Sequence, residues 1–166
     1  MAKPTTKRRY WLFKSEPESF SFADLLAAKG RRTFWSGVRN YQARNLLRDV
    51  IKLGDGVLFY HSNADPLAIA GICKVMKEGY PDHTAFEAGS PYHDADSDPQ
   101  DPTWFMVDIE AVQAFAAPVT RERLMREPAL ADMMLLRRGA RLSVQPVTQV
   151  QWQTILQLGN ATESQR

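Results

Sequence analysis

Between Phe34 and Asn45 the chain sets Trp35, Ser36, Arg39, Asn40, Tyr41, Arg44 and Asn45 within one short run. Guanidinium, amide and indole groups are planar and present hydrogen bonds at fixed angles, which suits a flat ligand with polar edges such as a nucleobase. From Asn40 onward, helical spacing puts Tyr41, Arg44, Asn45 and Arg48 on one face and Ala43, Leu46, Leu47 and Val50 on the other. The same spacing equally describes a solvated helix face beside a buried Trp35. Two further groups stand where strands end. Lys14, Ser15 and Glu16 follow the apolar run Tyr10–Phe13, and His61, Ser62 and Asn63 follow Val57–Tyr60. Such rims are common places to meet a ligand, although His61 can also satisfy nearby backbone and Glu16 can be a turn residue before Pro17. Arg137, Arg138 and Arg141 cluster beside Ser143 and Gln145. They can hold phosphate, or they can offset a helix dipole.

Other chemistry lacks its signature. There is no phosphate-binding G-x-x-x-x-G-K-[ST], no G-x-G-x-x-G, no G-x-S-x-G and no H-E-x-x-H. His83 and His93 lie near Asp82, Asp94 and Asp96 but match no metal-ligand spacing, so neither a metal nor a cofactor is expected. The single cysteine, Cys73, excludes an internal disulfide and sits in an apolar run, as an inert core thiol does. No stretch approaches the ~20 apolar residues of a membrane span. Met1–Arg9 is basic without an apolar segment behind it, so a cytoplasmic location is expected, or a nuclear one in a eukaryote.

At 166 residues, with 44% hydrophobic and 24% charged, the chain has the size and composition of one globular domain. The expected division is a basic tail over 1–9, one domain over 10–158 and a short tail over 159–166. The net charge of +2 is unevenly spread: residues 78–102 carry seven acidic residues and no Lys or Arg, leaving +9 elsewhere. A basic body of that kind is compatible with a polyanionic partner.

The elements follow from pattern and punctuation. Strands are expected over Tyr10–Lys14, Val57–Ser62, Leu67–Met76, Thr103–Val112 and Leu142–Val147, with a further one through Gln113–Ala116. Asn63-Ala64-Asp65-Pro66 turns the second strand into the third as a hairpin. Ser21 with Asp24, and Thr148 with Gln151, form capping boxes for two helices, ended by Gly30 and Gly159. A third helix spans Asn40–Leu53, and helical turns fall within Arg121–Arg126 and Pro128–Arg138. Residues 77–102 hold four prolines and no period, predicting a protruding, partly mobile excursion. The result is an α+β fold: a small, partly open, mixed-strand β-barrel of five or six strands flanked by helices.

Six motifs carry a resemblance across Tyr10–Leu158: Trp11–Pro17, Trp35–Asn45, Val57–Asn63, Gly79–Asp82, Pro102–Trp104 and Arg141–Pro146. In this order they resemble EVE domains of the thymocyte nuclear protein type. The resemblance implies a PUA-like fold, kinship with the YTH domains that hold a methylated adenine in an aromatic pocket, and reading of modified bases, notably 5-methylcytosine in DNA. It points to a monomeric, non-catalytic module whose partner is DNA or RNA carrying a modified base. Lys14, Ser15, Trp35, Ser36, Asn40, Tyr41, Arg44, Asn45, His61, Ser62 and Asn63 are its expected ligand residues. Arg39, Arg48, Arg137, Arg138 and Arg141 are its expected phosphate contacts. The alternatives are a nucleic-acid hydrolase using Lys14, Glu16 or His61 in the same pocket, and a protein-interaction module.

Overall fold

The structure is a computed structural model and describes residues 7–163. Six strands form one mixed sheet: β1 (Tyr10–Ser15), β2 (Arg32–Phe34), β3 (Gly56–His61), β4 (Ala68–Pro81), β5 (Phe105–Thr120) and β6 (Val144–Val147). Their order is β2-β5-β4-β3-β1-β6, with β1 and β3 parallel and every other neighbour antiparallel. β2 and β6 are the two edges, as in a partly open barrel. Four helices flank the sheet: α1 (Phe22–Ala27), α2 (Tyr41–Asn45), α3 (Arg121–Met125) and α4 (Gln149–Leu158).

Both faces of the sheet are covered, which is why its central strands read as continuous apolar runs. Strand alternation assigns Trp11, Phe13, Val57 and Phe59 to one core, with Leu25, Trp35, Ala43 and Leu47 packed on them. Leu12, Leu58 and Tyr60 point the other way, into a core closed by Leu124 and by Trp152, Ile155 and Leu156 of α4. Five bulges in the β3–β4 and β4–β5 pairs add twist and bend the sheet around its contents. They also let β5 run unbroken to Thr120, so the separate strand expected over Gln113–Ala116 is the second half of β5. β2 is only three residues long, too short for a period; its pairing with Asp108–Glu110 of β5 creates it.

Both capping boxes form as expected. The Ser21 hydroxyl accepts from Asp24 N at 3.0 Å while the Asp24 carboxylate accepts from Ser21 N, and Thr148 and Gln151 repeat the arrangement. The helix expected over Asn40–Leu53 is shorter. α2 passes into a π-turn at Leu46–Val50 and the chain becomes extended at Ile51, which is fully buried. Buried Asp55 holds this exit, its carboxylate accepting from Lys52 N at 2.9 Å and from the Trp11 indole at 2.9 Å.

Of the expected tails, residues 1–6 and 164–166 lie outside the described residues. Arg8 and Arg9 are already engaged: Arg8 donates to Gly54 O and pairs with Glu163, and Arg9 N donates to Asp55. No described helix is long and apolar enough to cross a membrane.

Candidate nucleic-acid interface

A cavity of about 740 Å³ opens where the two edges of the sheet face each other. Lys14, Ser15 and Glu16 at the end of β1 contribute, as do Thr33 and Phe34 of β2, the turn Trp35–Arg39, Ser62, Tyr92, and Arg141 and Ser143 before β6. Lys14 N donates to Ser143 O at 2.9 Å and Trp35 N to Val107 O at 2.8 Å, so both rims are continuations of sheet hydrogen bonding. A volume of this size suits a small molecule or a nucleotide, roughly 300–1,000 Å³ being usual.

Of the expected ligand residues, Lys14, Ser15, Trp35, Ser36 and Ser62 line this cavity, joined by Arg39 and Arg141 from the expected phosphate contacts. Ser15 is half-buried and its hydroxyl donates to Phe20 O at 2.5 Å. Burial, with the positive charge of Arg121, holds the Lys14 amine below its ordinary value. Trp35 is only 8% exposed. Its ring packs against Phe13 at 5.3 Å and meets Phe59 edge-on at 5.4 Å, making it the floor of the cavity and part of the core. The more open aromatic walls are Phe34 and Tyr92, 45% and 40% exposed.

The remaining expected residues are placed outside the cavity, for identifiable reasons. Asn40 is the N-cap of α2, its side-chain oxygen accepting from Ala43 N at 3.0 Å. Tyr41 stacks on Trp104 at 5.0 Å, and Arg44 lies over Tyr41 while donating to Thr103 O at 2.7 Å and to Asn45 Oδ1 at 2.8 Å. His61 Nε2 accepts from Phe22 N at 3.1 Å, and burial holds the imidazole below its ordinary pKa, so the neutral ring that this bond needs is favoured. Asn63 occupies the β3–β4 turn with a left-handed φ of 48°. Arg48 forms two bonds to Asp49, and Arg137 donates to Asp132 O. Arg138 is exposed and does not line the cavity.

Arg39 lines the cavity, yet its guanidinium is occupied by other parts of the chain. It donates to Asp82 at 3.0 Å, to Tyr92 O at 2.6 Å and to Thr84 Oγ1 at 3.4 Å, and it lies over the Trp104 ring at 5.3 Å. A phosphate contact is therefore not its role in this arrangement. Asp82 is fully buried and also accepts from Gly37 N at 2.8 Å and Thr84 N at 2.9 Å. Burial opposes its charge, but hydrogen bonds from Thr84, Gly37 and Arg39 outweigh that and hold the carboxyl below the usual range.

These contacts overturn the expected protruding excursion. The segment between β4 and β5 folds back onto the cavity: Asp82 pins it at one end, and Trp104 donates to Asp94 at 2.7 Å at the other. It delivers Tyr92, which pattern reading missed because a lone aromatic among Asp and Pro has no period. Gly37 is its counterpart. With φ +84° and the Tyr92 ring 2.7 Å from where a Cβ would sit, only glycine fits there without displacement.

The fold is that of a PUA-like domain, and residues 9–158 match the EVE domain family. The chain belongs to that family. It is 44% identical over 166 residues to mouse thymocyte nuclear protein 1, an overlap covering 90% of this chain and 73% of that protein. A crystal structure of a Pseudomonas syringae protein is 45% identical with a TM-score of 0.85, covering 90% of this chain and 99% of that one. The crystal structure of human THYN1 protein in complex with 5-methylcytosine containing DNA is 41% identical with a TM-score of 0.85, covering 93% and 99%.

Proposed function

We propose that this protein binds nucleic acid and accommodates a modified base, of the 5-methylcytosine type in DNA or its counterpart in RNA, in the cavity between β2 and β6. The observation that carries the reading is the cavity's composition: aromatic walls, hydroxyls and two cations, Lys14 and Arg141, whose charges no carboxylate pairs among the described residues. The DNA complex of the 41% identical human protein supports it. A base entering from a duplex must first leave its stack at a cost of a few kcal/mol. Contact with aromatic faces returns about 1–3 kcal/mol. Exclusion of water around the 5-position rewards a methyl group, a buried CH₂ being worth about 0.8 kcal/mol. Ser36, Ser62 and Ser143 offer hydroxyls to the base edge, while Lys14 and Arg141 face the phosphate.

The hydrolase alternative calls for Lys14, Glu16 or His61 beside the ligand. Lys14 and Glu16 line the cavity, but His61 stands apart from it and serves Phe22 N. The binding reading is preferred because the DNA complex of the human relative speaks for it. The test is fluorescence titration of matched oligonucleotides that differ only in one 5-methylcytosine. Tighter binding of the methylated strand with no change in its mass after incubation is expected. Equal affinity for both strands defeats the reader assignment, and a mass change defeats the non-catalytic one.

A further inference from the structure

5-Methylcytosine and thymine carry the same methyl on the same ring carbon. They differ on the pairing edge: at position 4 cytosine presents an amine donor and thymine a carbonyl acceptor, and at N3 cytosine has a lone pair where thymine has an N–H. A cavity that senses the ring and the methyl alone binds both. Rejection of thymine through position 4 takes an acceptor beside the amine and clear of N3, and better one that cannot also donate.

Among the side chains lining the cavity, the cations only donate and the hydroxyls do either. Glu16 is the one carboxylate, and an ionised carboxylate only accepts. It has no ion-pair partner among the described residues. Its backbone is held: Glu16 O accepts from Ser19 N and Phe20 N, both at 2.9 Å, and the Ser15 hydroxyl closes the same turn through Phe20 O at 2.5 Å. The turn therefore fixes the backbone from which an unpaired acceptor reaches a cavity whose other charged groups are donors. We propose that Glu16 is the specificity-determining residue of this site, accepting from the exocyclic amine and so restricting the ligand to amino bases. This inference rests on the base-binding reading above and deepens it.

The test uses the full chain and single-stranded oligonucleotides carrying 5-methylcytosine, cytosine or thymine at one position, so that base-pairing energy does not enter. Wild type is expected to bind 5-methylcytosine about tenfold or more tighter than thymine, the loss of one hydrogen bond to a charged group being of that size. Glu16→Gln, whose amide can donate to the thymine carbonyl, is expected to bring that ratio near one while keeping the preference for 5-methylcytosine over cytosine. Glu16 is exposed, so the melting temperature of the variant should match wild type. A wild type that binds thymine as well as 5-methylcytosine, or a Glu16→Gln variant that still rejects thymine as wild type does, overturns the role of Glu16 alone. A wild type with no preference for 5-methylcytosine over cytosine overturns the base-reading function itself.

Discussion

The run Phe34–Asn45 divides into two halves of similar composition and different employment. Phe34–Arg39 forms a wall and the floor of the cavity, whereas Asn40–Asn45 faces the segment between β4 and β5 and builds no part of it. Each half has an arginine that lies over an aromatic ring, Arg39 on Trp104 and Arg44 on Tyr41, and those two rings stack on each other. The ladder runs cation, indole, phenol, cation, and it clamps the excursion to the body. Planar and forked groups thus mark two tasks, recognition and internal clamping. What separates them is whether the chain itself supplies the partners.

Trp35→Ala tests the first half most severely. The indole packs on Phe13 and Phe59 while lining the cavity, so its loss removes core and floor together. A destabilisation of about 3–5 kcal/mol is expected by chemical denaturation. If stability is unchanged, the ring is not part of the core in solution.

Asp82→Ala breaks the pin joining both halves to the excursion. Removing a buried carboxylate leaves the Arg39 guanidinium, itself a quarter exposed, and Gly37 N without their partner. A loss of about 2–4 kcal/mol is expected. The pH profile separates this group from His61. Burial lowers the His61 pKa, so its contribution is complete above 6.5 and declines as pH falls below that value. The Asp82 carboxyl is also lowered, so its contribution is complete above 3.8 and is lost as pH falls through its folded value. Denaturation across pH 7 to pH 3 should therefore show two declines in wild type, and Asp82→Ala should shrink the more acidic one, to which the lowered Asp49 and Asp94 carboxyls also contribute, while keeping the other.

Much of this was legible in the chain, and the failures share a cause. Periodicity and capping located the central strands, the β3–β4 hairpin and two capping boxes because these are local. The PUA-like class followed from ordered motifs spanning nearly the whole domain. Lys14, Ser15 and Ser62 fell at strand ends, where sequence marks them, and Ser36 fell in the run of planar groups. The roles of Arg39, Arg44, Tyr41 and His61 were not legible, since their partners Asp82, Thr103, Trp104 and Phe22 are distant in sequence and only the fold brings them together. Tyr92 was hidden for the same reason: its place depends on Asp82 and Gly37, not on its neighbours.

Tyr92→Ala sharpens the contrast between the two aromatic walls. Unlike Trp35, the Tyr92 ring is 40% exposed and belongs to neither core. Binding of a 5-methylcytosine oligonucleotide should weaken by about 1–3 kcal/mol, with little change in melting temperature. Loss of stability with unchanged affinity would assign the ring to the clamp instead.

The mildest pair of variants addresses the arginines directly. Arg44→Ala removes a charged hydrogen bond to Thr103 O from a half-buried site, with an expected cost near 1 kcal/mol in stability and none in affinity, because Arg44 does not reach the cavity. Arg141→Gln should do the reverse. Its side chain is exposed at the rim, so stability should hold while affinity falls for modified and unmodified strands alike. The slope of log affinity against log salt should flatten by about one unit, as expected for one lost phosphate contact. A slope that flattens for Arg44→Ala and not for Arg141→Gln would reverse the assignment of the two halves. The polar face of α2 would then be the surface that meets the backbone.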